Sequence, residues 1–415
     1  MAEETTSIFT THIKKRKELV KNKKVLQSTY LPEMLPHRKG QIDQIASILS
    51  IGFNGEKPSN IMIYGLTGTG KTAVISYIGK EIKKEDPEEK HISYLYVNCE
   101  IVDTSYGILF NIASQFITNI EQKIPFTGWS FEKLYEEFCE QIKISNHIFI
   151  IVLDEIDHLI SKKGDEVLYH LSKINENLQN SNSKVSIIGI SNNMKLLELL
   201  EPKARSRLGG ESIIFPPYNR EELEDILKQR IDGIFDNNIL APSVITYCAT
   251  LAAKNSGDAR MAIDLLRTAT DIAERNGDSE ITEAHVKFAK QSLEVNVIRE
   301  AINVLTPQSK TILMSIIKND EMGNEKMRTG EVYNTYKEIA MCINLPILTQ
   351  KRVTELISEL DMSGIINADV KSFGKGGRTK EITLELQKNI INEFKSDPLF
   401  KQWEEYVPST QTRLM

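Results

Sequence analysis

The sequence predicts an α/β protein: a parallel sheet layered with helices, then an all-helical segment, then a third domain of helices and a hairpin. Three observations predict it. Strand-like apolar runs at 60–64, 92–98, 147–153 and 185–190 alternate with helical patterns, which is the signature of βα repetition. The run Ile148-Phe-Ile-Ile-Val-Leu153 shows no polar alternation, so both of its faces are buried, as in a parallel sheet. After Ile214 and Pro216-Pro217 the strand-like runs give way to helical periodicity.

Residues 1–26 are polar and basic, with Lys14, Lys15, Arg16, Lys17, Lys21, Lys23 and Lys24, and read as a flexible arm. A Pro-punctuated segment, Tyr30-Leu-Pro-Glu-Met-Leu-Pro36-His37-Arg38, leads into an amphipathic helix near 38–51. The first strand, Ile61-Met-Ile-Tyr64, runs directly into Gly65-Leu-Thr-Gly-Thr-Gly-Lys71-Thr72. A Gly, four residues, then Gly-Lys-Thr after a strand is the phosphate-loop pattern. Its glycines let backbone N–H groups turn inward around a polyphosphate. Lys71 is expected to lie against the outer phosphates and the Thr72 hydroxyl to ligate Mg²⁺.

The buried run 148–153 ends in Asp154-Glu155-Ile156-Asp157, at the edge where doubly wound sheets bind ligands. Asp154 is expected to hold Mg²⁺ through water, and Glu155 to polarise the water that attacks the terminal phosphate. The two motifs together predict binding and hydrolysis of ATP or GTP. Between the second and third runs a helical stretch buries Tyr106, Leu109, Phe110, Ala113, Phe116, Ile117 and Ile120 on one face, breaks at Pro125-Phe-Thr-Gly-Trp129 and resumes over 130–144.

Another buried strand, Ile187-Ile-Gly-Ile-Ser, ends in Asn192, which can orient the attacking water and sense the terminal phosphate; an ordinary strand-to-helix turn is the plainer reading. Arg207, or else Arg205, follows it and can reach a neighbouring subunit's phosphates, a role that suits guanidinium better than Lys. Helical patterns at 219–232, 241–254, 258–275 and 282–293 form a small bundle, with Asp258 and Thr282 as caps. Gly257-Asp-Ala-Arg260 puts Arg260 in a first helical turn, where the macrodipole disfavours a cation, so that position points to a nucleotide contact.

From about 295, helical patterns at 307–318, 329–342 and 349–362 precede strands at Gly364–Val370 and Thr379–Leu386. Three helices and a basic hairpin are the plan of a winged-helix domain. The helix at 349–362 buries Val353, Leu356, Ile357 and Leu360, and its start offers Gln350, Lys351 and Arg352 to phosphates and base edges. Glu355 and Glu359 on the same helix limit deep insertion. The hairpin tip carries Lys375, Gly376, Gly377, Arg378, Thr379 and Lys380, where glycine allows close approach and Arg378 can enter a narrow minor groove. A winged helix that binds only protein shares this plan.

The chain has 415 residues and a formal charge of −6, enough for several domains and without a whole-chain basic bias. Its four cysteines show no metal-ligand spacing or disulfide framework, and no signal or membrane-spanning run is evident, so a protein of the reducing cytoplasm is expected.

With these motifs in place, the chain resembles the archaeal Orc/Cdc6-like replication initiators of the AAA+ superfamily over most of its length, from Tyr30 to about Leu386. The resemblance implies an AAA+ parallel-sheet P-loop ATPase domain at 27–217, a helical lid at 218–294 and a C-terminal winged-helix domain at 295–415. It identifies Tyr30, Leu31, Pro32, His37 and Arg38 as an adenine-flanking segment. With them it groups Gly65, Leu66, Thr67, Gly68, Thr69, Gly70, Lys71, Thr72, Ala73, Asp154, Tyr218, Arg230 and Arg260 around ATP or ADP. Thr72 and Asp154 serve Mg²⁺, while Glu155, Asn192 and Arg207 are the catalytic set. The stretch 103–129 looks like the initiator-specific insertion, which in the family lies against duplex DNA. Lys203 stands where the family often has Arg, which leaves the finger open between Arg205 and Arg207. The implied function is recognition and bending of double-stranded origin DNA and help in recruiting or loading the replicative helicase. Slow hydrolysis would act as the switch, other initiator paralogues are possible partners, and no membrane is involved. A branch-migration motor or clamp loader, or an ATPase that regulates transcription, are the alternative classes.

Overall fold

The structure is a computed structural model that describes residues 18–117, 128–163, 166–179, 181–199, 202–235, 239–372 and 378–400. The chain divides into two compact units, Met1–Ala289 and Lys290–Met415.

In the first unit, helix α1 (Lys39–Ser50) precedes β1 (Ile61–Tyr64), α2 (Lys71–Glu85) and β2 (Ile92–Asn98). Helices α3 (Ser105–Ser114) and α4 (Phe131–Ser145) then lead to β3 (Ile148–Asp154). Next come α5 (Ile156–Lys163), α6 (Glu166–Asn177), β4 (Lys184–Ser191), the short α7 (Leu196–Leu199), α8 (Pro202–Leu208) and β5 (Glu211–Ile214). The five strands form one sheet in the order β2-β3-β4-β1-β5, every neighbour parallel. All seven residues of β3 are buried, because helices cover both faces of the sheet. One layer packs Phe138, Phe149, Leu153 and Leu171; the other packs Ile45, Ile63, Ile75 and Ile150. β5 was not expected from the sequence. It is an edge strand with only Ile213 buried, too short for its pattern to stand out.

Three helices of the first unit follow the sheet: α9 (Arg220–Ile231), α10 (Pro242–Lys254) and α11 (Ala259–Asn276). Asn219 and Glu222 close a reciprocal capping box on α9, which satisfies two of its free N–H groups. Asp258 caps α11 by accepting from the amides of Arg260 and Met261, as expected. The predicted arm does not extend to residue 26. Leu19, Val20 and Leu26 are buried, Lys21 N–H donates to Ile234 O at 3.1 Å, and Lys23 is paired with the fully buried Glu274. Lys23, one of the lysines of that basic run, finds carboxylates on α11, more than two hundred residues away.

Helix α12 (Glu283–Asn303) runs longer than its predicted end at 293; no Pro or Gly interrupts it before Pro307. The second unit continues with α13 (Pro307–Glu321), β6 (Met327–Arg328), α14 (Thr329–Cys342) and α15 (Gln350–Met362). The hairpin β7 (Ile366–Ser372) and β8 (Arg378–Leu384) is followed by α16 (Lys388–Lys395). The antiparallel sheet has the order β6-β8-β7. Its core gathers Val295, Ile316, Tyr336, Ile357 and Ile382 with Phe394 and Phe400. No helix among the described residues is long and apolar enough to cross a membrane.

Candidate nucleotide-binding site

The loop between β1 and α2 is shaped by two glycines in the left-handed region, Gly68 at φ +69° and Gly70 at φ +88°. A Cβ on Gly68 would stand 1.7 Å from Asp258 Oδ1, and one on Gly70 would stand 2.7 Å from the Tyr218 hydroxyl. Backbone strain and space therefore both require glycine there. Lys71, the first residue of α2, is 5% exposed. Its ammonium donates to Gly65 O and Leu66 O, each at 2.9 Å, and to Asn192 Oδ1 at 2.7 Å. Burial pulls its pKa down, and Glu155 and Asp154 oppose that pull.

Behind the loop, Thr72 Oγ1 donates to Asp154 Oδ2 at 2.8 Å. Asn192 Nδ2 donates to Glu155 Oε2 at 2.5 Å, so one asparagine joins the loop lysine to the acidic residue. Glu155 itself sits at φ +53°, an unusual conformation for a non-glycine residue and one that concentrates at functional sites. Burial raises its pKa first, and repulsion by Asp154 and Asp157 adds to the rise. Asp157 accepts from Ser191 Oγ at 2.9 Å and from the Asn192 amide at 3.3 Å, which fixes the turn after β4.

A cavity of about 500 Å³ opens over this arrangement. Residues 67–73 of the loop form its floor, with Glu155 and Asn192 beside it. Tyr30, Leu31, Pro32 and Arg38 wall it on one side, and Tyr218, Arg230 and Arg260 on another. Gly65, Leu66, Asp154 and His37 do not line the cavity. Gly65 and Leu66 offer carbonyls to Lys71, Asp154 stands behind Thr72, and His37 Nε2 is 3.1 Å from Asp225 Oδ2.

Arg38 is 2% exposed. It donates to Thr69 O at 2.9 Å, His37 O at 3.0 Å and Pro216 O at 2.6 Å. Arg230, pushed down in pKa by burial, donates to Val25 O at 3.0 Å and lies 5.2 Å from the Tyr30 ring centre. The loop touches α11 directly, since Ala259 N–H donates to Gly68 O at 3.1 Å. Sequence reasoning missed Ser28, Thr29, Ile226, Gln229 and Ile263 on the wall. The spacing of Ile226, Gln229 and Arg230, like that of Arg260 and Ile263, places each set on one helix face.

The groups here suit a hard divalent cation: the Thr72 hydroxyl and the Asp154 carboxylate present oxygen atoms 2.8 Å apart, and oxygen is the donor Mg²⁺ prefers. Arg205 is exposed on α8; Arg207 belongs to the same helix, and its side chain lies outside the described residues.

In the second unit, Gln350, Lys351 and Arg352 are exposed at the start of α15, where Thr349 caps the helix. Arg352 pairs with Glu355 at 2.9 Å, so its charge is already shared. Lys380 donates to Ser358 Oγ at 2.6 Å, and Thr379 lies 3.5 Å from Thr329. The β7–β8 register pairs Ser372 with Arg378. Lys375, Gly376 and Gly377 lie outside the described residues, as do residues 118–127 of the expected insertion.

A phosphate loop, a buried acidic strand end and a capped arginine helix meeting over one cavity are the parts of an AAA+ site. The profile of the ATPase family associated with various cellular activities matches residues 61–215. The Cdc6 AAA+ ATPase-type lid domain matches 224–291, and the Cdc6 C-terminal winged-helix domain matches 300–394. The ORC1-type DNA replication protein 1 of Methanosarcina mazei is 46% identical over 392 residues, covering 92% of this chain and 93% of its own. The chain belongs to the archaeal ORC1/Cdc6-type replication initiators of the AAA+ superfamily. The ORC1-type protein of Pyrococcus abyssi is also 46% identical, over 385 residues, 92% of this chain and 91% of its own. Among solved structures, the Aeropyrum pernix ORC1 protein in complex with DNA superposes with a TM-score of 0.82 at 36% identity, over 93% of this chain and 99% of that one.

Proposed function

We propose that this replication initiator binds ATP or ADP with Mg²⁺ in the cavity above the loop, and that it recognises and bends duplex origin DNA. DNA would be held through the winged helix and the insertion near 103–129. The same reading has it help recruit or load the replicative helicase, alone or with other initiator paralogues, on the nucleoid in the cytoplasm. Its working domains are the ATPase base at 27–217, the lid at 218–294 and the winged helix at 295–415, with the basic residues ahead of the packed segment as an arm. The observation that carries the ATPase reading is the chain Lys71–Asn192–Glu155, which joins the phosphate-side lysine, the sensor and the acidic residue through contacts of 2.7 and 2.5 Å.

Lys71 binds the outer phosphates and, on doing so, exchanges its carbonyl partners for phosphate oxygens. Thr72 and Asp154 hold Mg²⁺, which supplies charge neutralisation on the phosphates. Glu155 accepts a proton from the attacking water, and Asn192, released from Lys71, orients that water. Arg260 reports the terminal phosphate to the lid, and Arg207, with Arg205 as the alternative, reaches the phosphates bound by a neighbouring subunit. Slow hydrolysis, acting as a switch rather than a motor, is part of the same proposal. The DNA complex of the Aeropyrum relative, together with the exposed Lys351 and the wing residues Arg378 and Lys380, supports duplex binding. Fluorescence anisotropy on duplex DNA tests this: affinity should fall steeply with salt, and Arg378→Ala should weaken it and flatten the slope. An unchanged affinity and slope in Arg378→Ala would remove the wing from the interface.

A further inference from the structure

Asp154 is 1% exposed, and a carboxylate offers about four acceptor positions. Oδ2 accepts from Thr72 Oγ1 and also from the Tyr96 hydroxyl, both at 2.8 Å. Oδ1 accepts from the Glu155 amide at 3.0 Å. Among the described residues these are the donors that reach it, so about one acceptor position stays open. Tyr96 comes from β2, the strand beside β3, where it pairs with Val152 and Asn98 pairs with Asp154. Because opposed residues in a parallel pair share a face, Tyr96 lies on the face that carries Asp154 and leans along the strand towards its end. Two residues earlier, Tyr94 donates to Ile75 O at 2.8 Å and fills the space beside Gly79, where a Cβ would come within 2.5 Å of its ring. The Tyr94 contact anchors this part of β2 beneath α2, and with it the approach of Tyr96.

We propose that Tyr96 is a positioning residue of the metal site: its hydroxyl holds the Asp154 carboxylate so that one oxygen serves Thr72 while the open position of the other accepts a metal-bound water. This rests on the reading of the site as one for a magnesium nucleotide. A tyrosine packed there only for its ring would leave metal affinity unaffected by loss of the hydroxyl. Partners behind a metal's direct ligands typically govern 10–100-fold in metal affinity.

The test uses the full chain and Mn²⁺ as a paramagnetic stand-in, with its binding to the protein–ADP complex followed by electron paramagnetic resonance. Tyr96→Phe should weaken Mn²⁺ binding about tenfold and leave ADP affinity in EDTA within about twofold. In an Asp154→Asn background, Tyr96→Phe should add no further loss. The assignment is overturned if Tyr96→Phe binds Mn²⁺ as the parent does, or if ADP affinity in EDTA falls by the same factor. If the parent ADP complex itself takes up no Mn²⁺, the magnesium-nucleotide reading fails, and the role of Tyr96 fails with it.

Discussion

The guanidinium carbon of Arg38 stands 3.8 Å from the centre of the Tyr218 ring, while its N–H groups bind carbonyls of the phosphate loop and of the segment after β5. One buried cation thus ties three stretches of chain to each other at the cavity wall. Its pKa is lowered by burial, with Tyr218 and Glu222 opposing the effect. Arg38→Ala leaves the Thr69 and Pro216 carbonyls without their donor and should cost about 2–4 kcal/mol in chemical unfolding. Arg38→Lys should recover little, since a point charge cannot reproduce the fork. A loss below about 0.5 kcal/mol in Arg38→Ala would show that the wall stands without it.

Gly68 sets the contact between the loop and the lid. Gly68→Ala should displace Asp258, break the Ala259–Gly68 hydrogen bond and lower nucleotide affinity. Hydrogen exchange reads this locally: amides of residues 259–261 should lose protection. Asp258→Ala removes only the cap and should cost about 1 kcal/mol, and Asp258→Asn only a few tenths. Undiminished protection in Gly68→Ala would contradict the stated crowding.

Glu155 carries a raised pKa, and the sign of its effect follows. The unfolded carboxyl ionises at the ordinary carboxylate value, while the folded one holds its proton to higher pH, so folding loses stability as pH rises through that interval. Glu155→Gln should therefore melt higher than the parent at neutral pH, with the difference vanishing below the ordinary carboxylate range. Single-turnover hydrolysis should fall roughly 10²–10⁴-fold in that variant while nucleotide still binds. The parent's acid limb should lie above the ordinary carboxylate range. Equal melting at both pH values would show that burial and its acidic neighbours do not strain Glu155.

Lys351 and Lys380 are expected to meet phosphates. Each Ala variant should weaken binding evenly across duplex sequences and reduce the salt slope by about 0.9. A change confined to one sequence would mark base reading instead.

The phosphate loop, Asp154 and Glu155 were legible because their chemistry lies in local spacing, and the helix at 329–342 matched its periodicity residue for residue. What escaped was long-range pairing. The basic run that looked solvated at Lys23 meets Glu274, whose burial no local pattern announces. Tyr96 reads as an ordinary strand residue until the β2–β3 register brings it to Asp154. The two-residue β6 exists only because β8 is there to pair with it.

The most direct test of the central claim is occupancy of this protein across its own genome, with Arg378→Ala as the paired control. The account predicts sharp peaks at replication start sites that disappear in the variant. Dispersed occupancy, or peaks at promoters away from replication starts, would contradict it.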